Sequence, residues 1–152
     1  MISCRLCDIS TIDNNTDCIR FVFPQMVVEN LKTHQPYTIA QSGILHWLNE
    51  YYAAASNPDK GHIHNIVYFF EDNMYAPNEI YENNSQVEAW FTLHGVSVFN
   101  DALKDLFDYM QKEHNISPIV LRQSVLTEQC EIVYADEMQY IIRSKSYNTN
   151  NF

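Results

Sequence analysis

Few residues of this chain have the type and spacing to do chemistry. Cys4-Arg5-Leu6-Cys7 sets two thiols on a C-x-x-C spacing, and Cys18 and Cys130 follow singly. Two thiolates on one tight knuckle are half of a tetrahedral zinc site, which Cys18 with Cys130 or a histidine would have to complete. A redox pair wants the motif behind a strand and at a helix N-terminus, where the dipole lowers the thiol pKa. No strand fits ahead of residue 4, so the plain expectation is two reduced thiols near the start of the chain. His62-Ile63-His64 would place both rings on one face of an extended segment, half of a metal site to which Glu71 or Asp72 could add an oxygen. No H-E-x-x-H accompanies it, and the pair follows a turn, so exposed imidazoles without a metal are the simpler reading. No G-x-S-x-G elbow is present, and the paired carboxylates Glu71-Asp72 carry no local feature that would tune them for acid–base work. The only glycines are Gly43, Gly61 and Gly95, too sparse for any glycine-rich phosphate cradle.

The least random feature is a stretch without cations. Residues 61–103 contain no Lys or Arg, yet they hold Glu71, Asp72, Glu79, Glu82, Glu88 and Asp101. Tyr68, Phe69, Phe70, Tyr75, Tyr81, Trp90 and Phe91 are interleaved with them. Uncompensated carboxylates attract a cationic partner and speed encounter. Tyrosine and tryptophan give large contact area at low rotamer cost. Glu71, Asp72, Glu79, Glu82 and Glu88 are therefore the expected steering groups, with Tyr75 and Tyr81 as anchors on a basic protein. The plainer alternative is that the acids are ordinary solvated residues and the aromatics are core.

Composition agrees with a folded chain of this kind. There are 152 residues, 46% of them hydrophobic, with 19 acids against 9 bases and a formal charge of −10. That balance argues against direct binding to nucleic acid phosphates. The longest apolar run is Ile66 to Phe70, far too short to span a membrane. No basic flank leads into an apolar stretch near the start, so a cytoplasmic location is expected and no cofactor is implied.

The elements that must position these residues are legible in part. Thr38-Ile39-Ala40-Gln41 has the form of a capping box ahead of a helical stripe at Ile44, Trp47, Leu48, Tyr51, Tyr52 and Ala55, with Gly43 inside it and a stop at residues 56–61. A second helix starts at Asn100 as N-cap, shows Leu103, Leu106, Phe107 and Met110 on one face, and closes at Asn115. A short helix is expected over Gln25 to Lys32. Residues 66–70 fit a strand or a helix equally. Val87 to Leu93 alternates as a half-buried strand, Ile119–Leu121 and Cys130–Tyr134 look extended, and residues 135–138 form a hairpin loop into Tyr140–Ile142. The expected fold is α+β: one domain over 1–143, helices in the N-terminal and central parts, and a small antiparallel sheet towards the C-terminus. An all-α arrangement is the alternative. Residues 10–17 read as a loop and 144–152 as a polar, mobile tail.

In general character rather than by any motif, the chain resembles the small acidic immunity proteins of bacterial polymorphic and contact-dependent toxin systems. The resemblance rests on length, the absence of catalytic motifs, and the acidic, tyrosine-rich stretch from Glu71-Asp72-Asn73-Met74-Tyr75 to Tyr81-Glu82. It implies a cytoplasmic, non-enzymatic protein that binds and neutralises one cognate toxin domain, commonly a basic nuclease. Two other classes stay open: a small zinc-binding protein using Cys4, Cys7 and Cys18, with Cys130 or His62 and His64, and an enzyme without a recognisable signature.

Overall fold

The computed structural model describes residues 17–30, 32–54, 57–84, 86–124 and 130–144. The chain organises around β1 (Asp17–Phe23), whose β-branched and aromatic residues suit a strand at the centre of a sheet. Ile19, Phe21 and Phe23 turn to the main core, and Cys18 joins Trp90 and Ile142 in a second cluster. Along one edge β1 pairs antiparallel with β6 (Ile119–Ser124), from Asp17↔Ser124 to Val22↔Ile119. Cys18 also pairs with Thr92 of β5 (Val87–Thr92), and Val22 with Gly43 of β4 (Ser42–Gly43). Since β6 occupies one edge along its length, β4 and β5 share the other. Beyond β5 the sheet continues through β8 (Gln139–Ser144) to β7 (Cys130–Ala135).

Between β1 and the first helix lies a separate hairpin, β2 (Met26–Glu29) and β3 (Pro36–Ile39), in register Val27↔Thr38 and Val28↔Tyr37. This corrects two expectations. Residues 25–32 do not form a helix, because the Asn30 side chain accepts from the amides of Lys32 and Thr33 and closes a turn. His34 enters the left-handed region at φ 57° within the same turn. The capping box at Thr38 does not form either, since Thr38 lies in a ladder. Helix α1 (Ile44–Ala54) starts only after Gly43, which belongs to β4 and not to the helix. Of the expected apolar stripe, Ile44, Trp47, Leu48 and Tyr51 are buried and Tyr52 is half-buried, Ala55 lies outside the described residues, and Ala54 is buried in addition. The Trp47 indole N–H donates to the Pro24 carbonyl at 3.0 Å and fixes the helix against the end of β1.

Residues 57–61 begin helix α2 (Asn57–Asn73) instead of extending a loop, with Pro58 in the first turn where its missing N–H costs nothing. Residues 66–70 are thus helical, and Ile63, Ile66, Val67 and Phe70 share its buried face. A short α3 (Asn78–Asn83) follows, then β5, α4 (Leu93–Val98) and α5 (Asn100–His114). On α5 the stripe Leu103, Leu106, Phe107 and Met110 is buried as expected. The N-cap is Phe99 and not Asn100, because α4 runs almost directly into α5. Asn115 takes the left-handed closing position at φ 55°.

The result is a mixed α+β domain in which α1, α2 and α5 cover one face of an antiparallel sheet. Phe21 meets Phe107 at 5.2 Å between ring centroids, and Phe70 stacks on Phe99 at 4.6 Å. The strand expected over 87–93 runs over Val87–Thr92, with Leu93 opening α4 instead, the strands expected at 119–121 and 130–134 are present, and residues 136–138 link β7 to β8. Ser144 belongs to β8, whereas 145–152 and the loop residues 10–16 lie outside the described residues. Among the described residues no helix is long and apolar enough to cross a membrane.

Thr92 joins the sheet to the helices. Its hydroxyl donates to the Glu137 carbonyl at 2.6 Å, and it accepts from the Gly95 amide at 2.8 Å as N-cap of α4. That brings Gly95 so close to the β7–β8 turn that a Cβ there would run into the Met138 carbonyl oxygen. Gly61 on exposed α2 has nothing within 4 Å of its would-be Cβ. The two glycines should therefore respond oppositely to alanine. Gly95→Ala is expected to cost about 1–3 kcal/mol through overpacking. Gly61→Ala should stabilise by about 0.5–1 kcal/mol through helix propensity and lost chain entropy. Equilibrium urea unfolding checks both, and a neutral Gly95→Ala would show that the Thr92–Met138 junction is not tightly held.

Candidate functional site

Part of the cation-free stretch, at the end of α2, on α3 and on β5, lines two hollows beside α1. Its loop is held from beneath. Gln139, only 1% exposed, donates its side-chain amide to the Tyr75 carbonyl at 2.7 Å and to Asp136 at 3.3 Å. Asp136 in turn accepts from the backbone amides of Met138 and Gln139 and from the Tyr134 hydroxyl. The Asn73 and Asn84 amides donate to the Phe69 and Ile80 carbonyls and close the ends of α2 and α3. Arg143 reaches the Asn84 side chain at 3.3 Å and pairs with Glu131 at 3.3 Å, tying the far end to the β7–β8 hairpin.

The central feature is a gap in the sheet. The β1–β5 ladder stops at Ile19↔Phe91, and β1 is next paired on that edge at Val22↔Gly43. At Arg20 and Phe21 the strands have parted, leaving a cleft of about 490 Å³. Arg20 spans the opening. Its Nη1 donates to the Ala89 carbonyl at 3.0 Å, and its Nε lies 3.9 Å from Glu88 Oε2. The guanidinium lies against Gly43, where a Cβ would come within 2.8 Å of Cζ and both terminal nitrogens and would push the end of the Arg20 side chain aside. His46, Asn78, Tyr81 and Trp90 complete the walls. Beside it lies a smaller slot of about 130 Å³ between α1 and the end of α2. Leu45, Asn49, Met74, Ala76 and Tyr81 line both, so the two hollows are contiguous.

This frame sorts the sequence-derived residues. Tyr75 is 63% exposed and Tyr81 42%, so both rings stand at the lip of the hollows. Glu71 and Tyr75 line the slot, Glu88 lines the cleft, and Tyr81 lines both. Asp72, Glu79 and Glu82 are exposed on the same segment but outside the hollows, with Glu79 and Glu82 on the solvent side of α3. Trp90, Phe91 and Phe70 are core and not surface anchors. Glu88 faces Arg20, so its charge is answered within the molecule. Being half exposed, that pair adds at most about 1 kcal/mol.

The metal candidates do not converge. His62 and His64 lie on a helix, not on the extended segment that would align them, and two residues of helix turn their rings to different sides. His62 stacks on Tyr109 at 4.2 Å and reaches Asp105 at 3.2 Å, whereas His64 Nδ1 lies 2.8 Å from the Tyr52 hydroxyl. The buried Cys18 thiol donates to the Gln123 carbonyl at 3.4 Å. Cys4 and Cys7 lie outside the described residues, among which no three His, Cys, Asp or Glu side chains gather to hold a metal.

Sequence reading missed Arg20 and Arg143, which bring positive charge to a stretch that looks cation-free. Both come from strands distant in sequence, Arg20 contacting Ala89 across 69 residues. The available signal was the lone cation inside Cys18-Ile19-Arg20-Phe21-Val22, since a charge in a buried strand requires a partner.

Four tyrosines have phenol pKa values raised above the ordinary 10.0. Tyr37 rises chiefly because it donates to Glu50 at 2.6 Å. Burial is the leading cause for Tyr52, Tyr81 and Tyr134, opposed at Tyr81 by the Arg20 charge and reinforced at Tyr134 by Asp136. A raised folded pKa means the unfolded chain releases these protons first. Their contribution to stability is complete below about pH 10 and is lost as pH rises through the folded values. Urea midpoints should therefore fall above about pH 10, and less steeply in Tyr37→Phe and Tyr134→Phe. A midpoint flat up to about pH 11 would contradict these contacts.

Comparison with protein families, curated proteins and solved structures finds no match for this chain.

Proposed function

We propose that this chain is a cytoplasmic, non-enzymatic protein that docks on a basic protein domain and neutralises it, in the manner of an immunity protein for a toxin nuclease. The observation that supports this reading is the shared placement of Tyr75 and Tyr81 with Glu71, Asp72, Glu79 and Glu82. Two exposed rings flank a pair of contiguous hollows, and four exposed carboxylates sit on the same α2–α3 segment. Among the described residues, none of these four carboxylates makes an ion pair with a Lys or Arg. Their field therefore extends into solvent, where it steers an oppositely charged surface and raises the association rate by roughly ten- to a thousandfold. The tyrosine rings and the hollows provide the contact area in which affinity concentrates. A net charge of −10 suits a cationic partner and repels nucleic acid, so the partner's phosphate-binding face is the natural target.

The immobilised protein should retain one basic protein from a lysate of its source at about equal stoichiometry in low salt. A bait carrying Glu79→Lys and Glu82→Lys should retain at least about tenfold less, and added salt should slow the wild-type association. Retention of nothing, or of an acidic protein insensitive to both the variant and salt, would contradict the reading.

A further inference from the structure

Resting on that reading, we propose that the small slot between α1 and the end of α2 is the recognition pocket for a lysine side chain of the partner protein. The slot is lined by Leu45, Leu48, Val67, Phe70 and Met74, which form apolar walls along its length. Among the described residues Glu71 is its only charged liner, and Tyr75 and Tyr81 flank it with exposed rings. Apolar walls with one exposed carboxylate beside them match a methylene chain that lies along them and keeps its positive charge near solvent. Tyrosine faces add attraction for that charge. Gln139 also lines the slot. Its amide hydrogens are engaged by the Tyr75 carbonyl and by Asp136, which leaves its side-chain oxygen to accept a further hydrogen bond.

Size selects among the candidate occupants. A protein cavity of about 150 Å³ holds benzene, six heavy atoms. On that scale the slot, at about 130 Å³, takes roughly five, the number in a lysine side chain. An arginine side chain, with seven, exceeds that, and a valine, with three, leaves roughly two-fifths of it empty. A neutral occupant such as leucine or methionine would fit the walls but give the Glu71 carboxylate no counter-charge. Among the described residues no Lys or Arg lines the slot. Residues 61–103 contain none, and the Arg20 guanidinium is held by Ala89 and Glu88 in the adjoining cleft.

The test uses the intact protein with methyl-labelled Leu, Val and Met, titrated by NMR with Nα-acetyl-lysine methylamide. Parallel titrations use the norleucine and arginine analogues. Saturable shifts are expected at Leu45, Leu48, Val67 and Met74, with the norleucine analogue weaker by at least about threefold. Glu71→Gln, an exposed and conservative change, should bring lysine down to the norleucine level, while Glu113→Gln, exposed near the end of α5 and outside both hollows, should leave it unchanged. Equal affinity for norleucine, tighter binding of arginine, shifts that map elsewhere, or no saturable shift into the tens of millimolar would each overturn the assignment. The slot and the docking reading fail separately. If the titration succeeds and no basic protein is retained by the immobilised chain, the slot stands and the docking reading falls. If a basic protein is retained equally by wild type and Glu71→Gln, the slot falls and the docking reading stands.

Discussion

One guanidinium spans the place where this sheet comes apart. β1 is paired with β6 from Asp17 to Val22 on one side, but on the other it shares only Cys18 and Ile19 with β5 before the strands diverge. Sheets tolerate such an opening only if the freed polar groups find partners. Arg20 does this for the Ala89 carbonyl, at 3.0 Å. Its own charge is then 16% exposed, a placement made tolerable by that bond and by Glu88 nearby. The glycine of β4 leaves room for it, because a side chain at residue 43 would push the guanidinium aside.

From that opening the rest of the surface takes its form. With β5 held away from β1, α3 and the 74–77 loop sit over a hollow and not on a closed sheet, and Tyr75 and Tyr81 stand on its lip. Gln139 is the second support: buried and bonded to the Tyr75 carbonyl, it fixes the loop to the β7–β8 turn, which Thr92 ties in turn to α4. Exposed carboxylates on a rigid support cost less ordering entropy on binding than the same groups on a loose loop. The proposed lysine slot depends on this rigidity, since its walls come from α1 and α2 and its rim from the loop.

What was legible in the sequence follows the range of the interactions involved. Helix α5 was readable because its stripe, its acidic first turn and its closing asparagine are all local. The β7–β8 hairpin was readable because Asp136 organises its own turn. The helix expected over residues 25–32 and the capping box at Thr38 failed for one reason. Local helical signals there lose to the β2–β3 ladder, which the Asn30 turn closes. Residues 66–70 were ambiguous because a short apolar run fits both periods, and packing of Ile63, Ile66, Val67 and Phe70 on one face decides for helix. The acidic and aromatic composition of residues 71–88 was visible, as was the exposure of its tyrosines. The arginines that reach it were not, because strand pairing between residues nearly seventy apart leaves no local trace.

The role of Arg20 is tested most directly by amide hydrogen exchange, read residue by residue in wild type and in Arg20→Met, which keeps much of the side-chain volume but removes the donors. Selective loss of protection along Val87–Trp90 and at Ser42–Gly43 is expected, with Ile141 and Ile142 of β8 retaining theirs. Unchanged protection throughout β5, or an equal loss across β5, β7 and β8, would contradict a strap at the sheet opening.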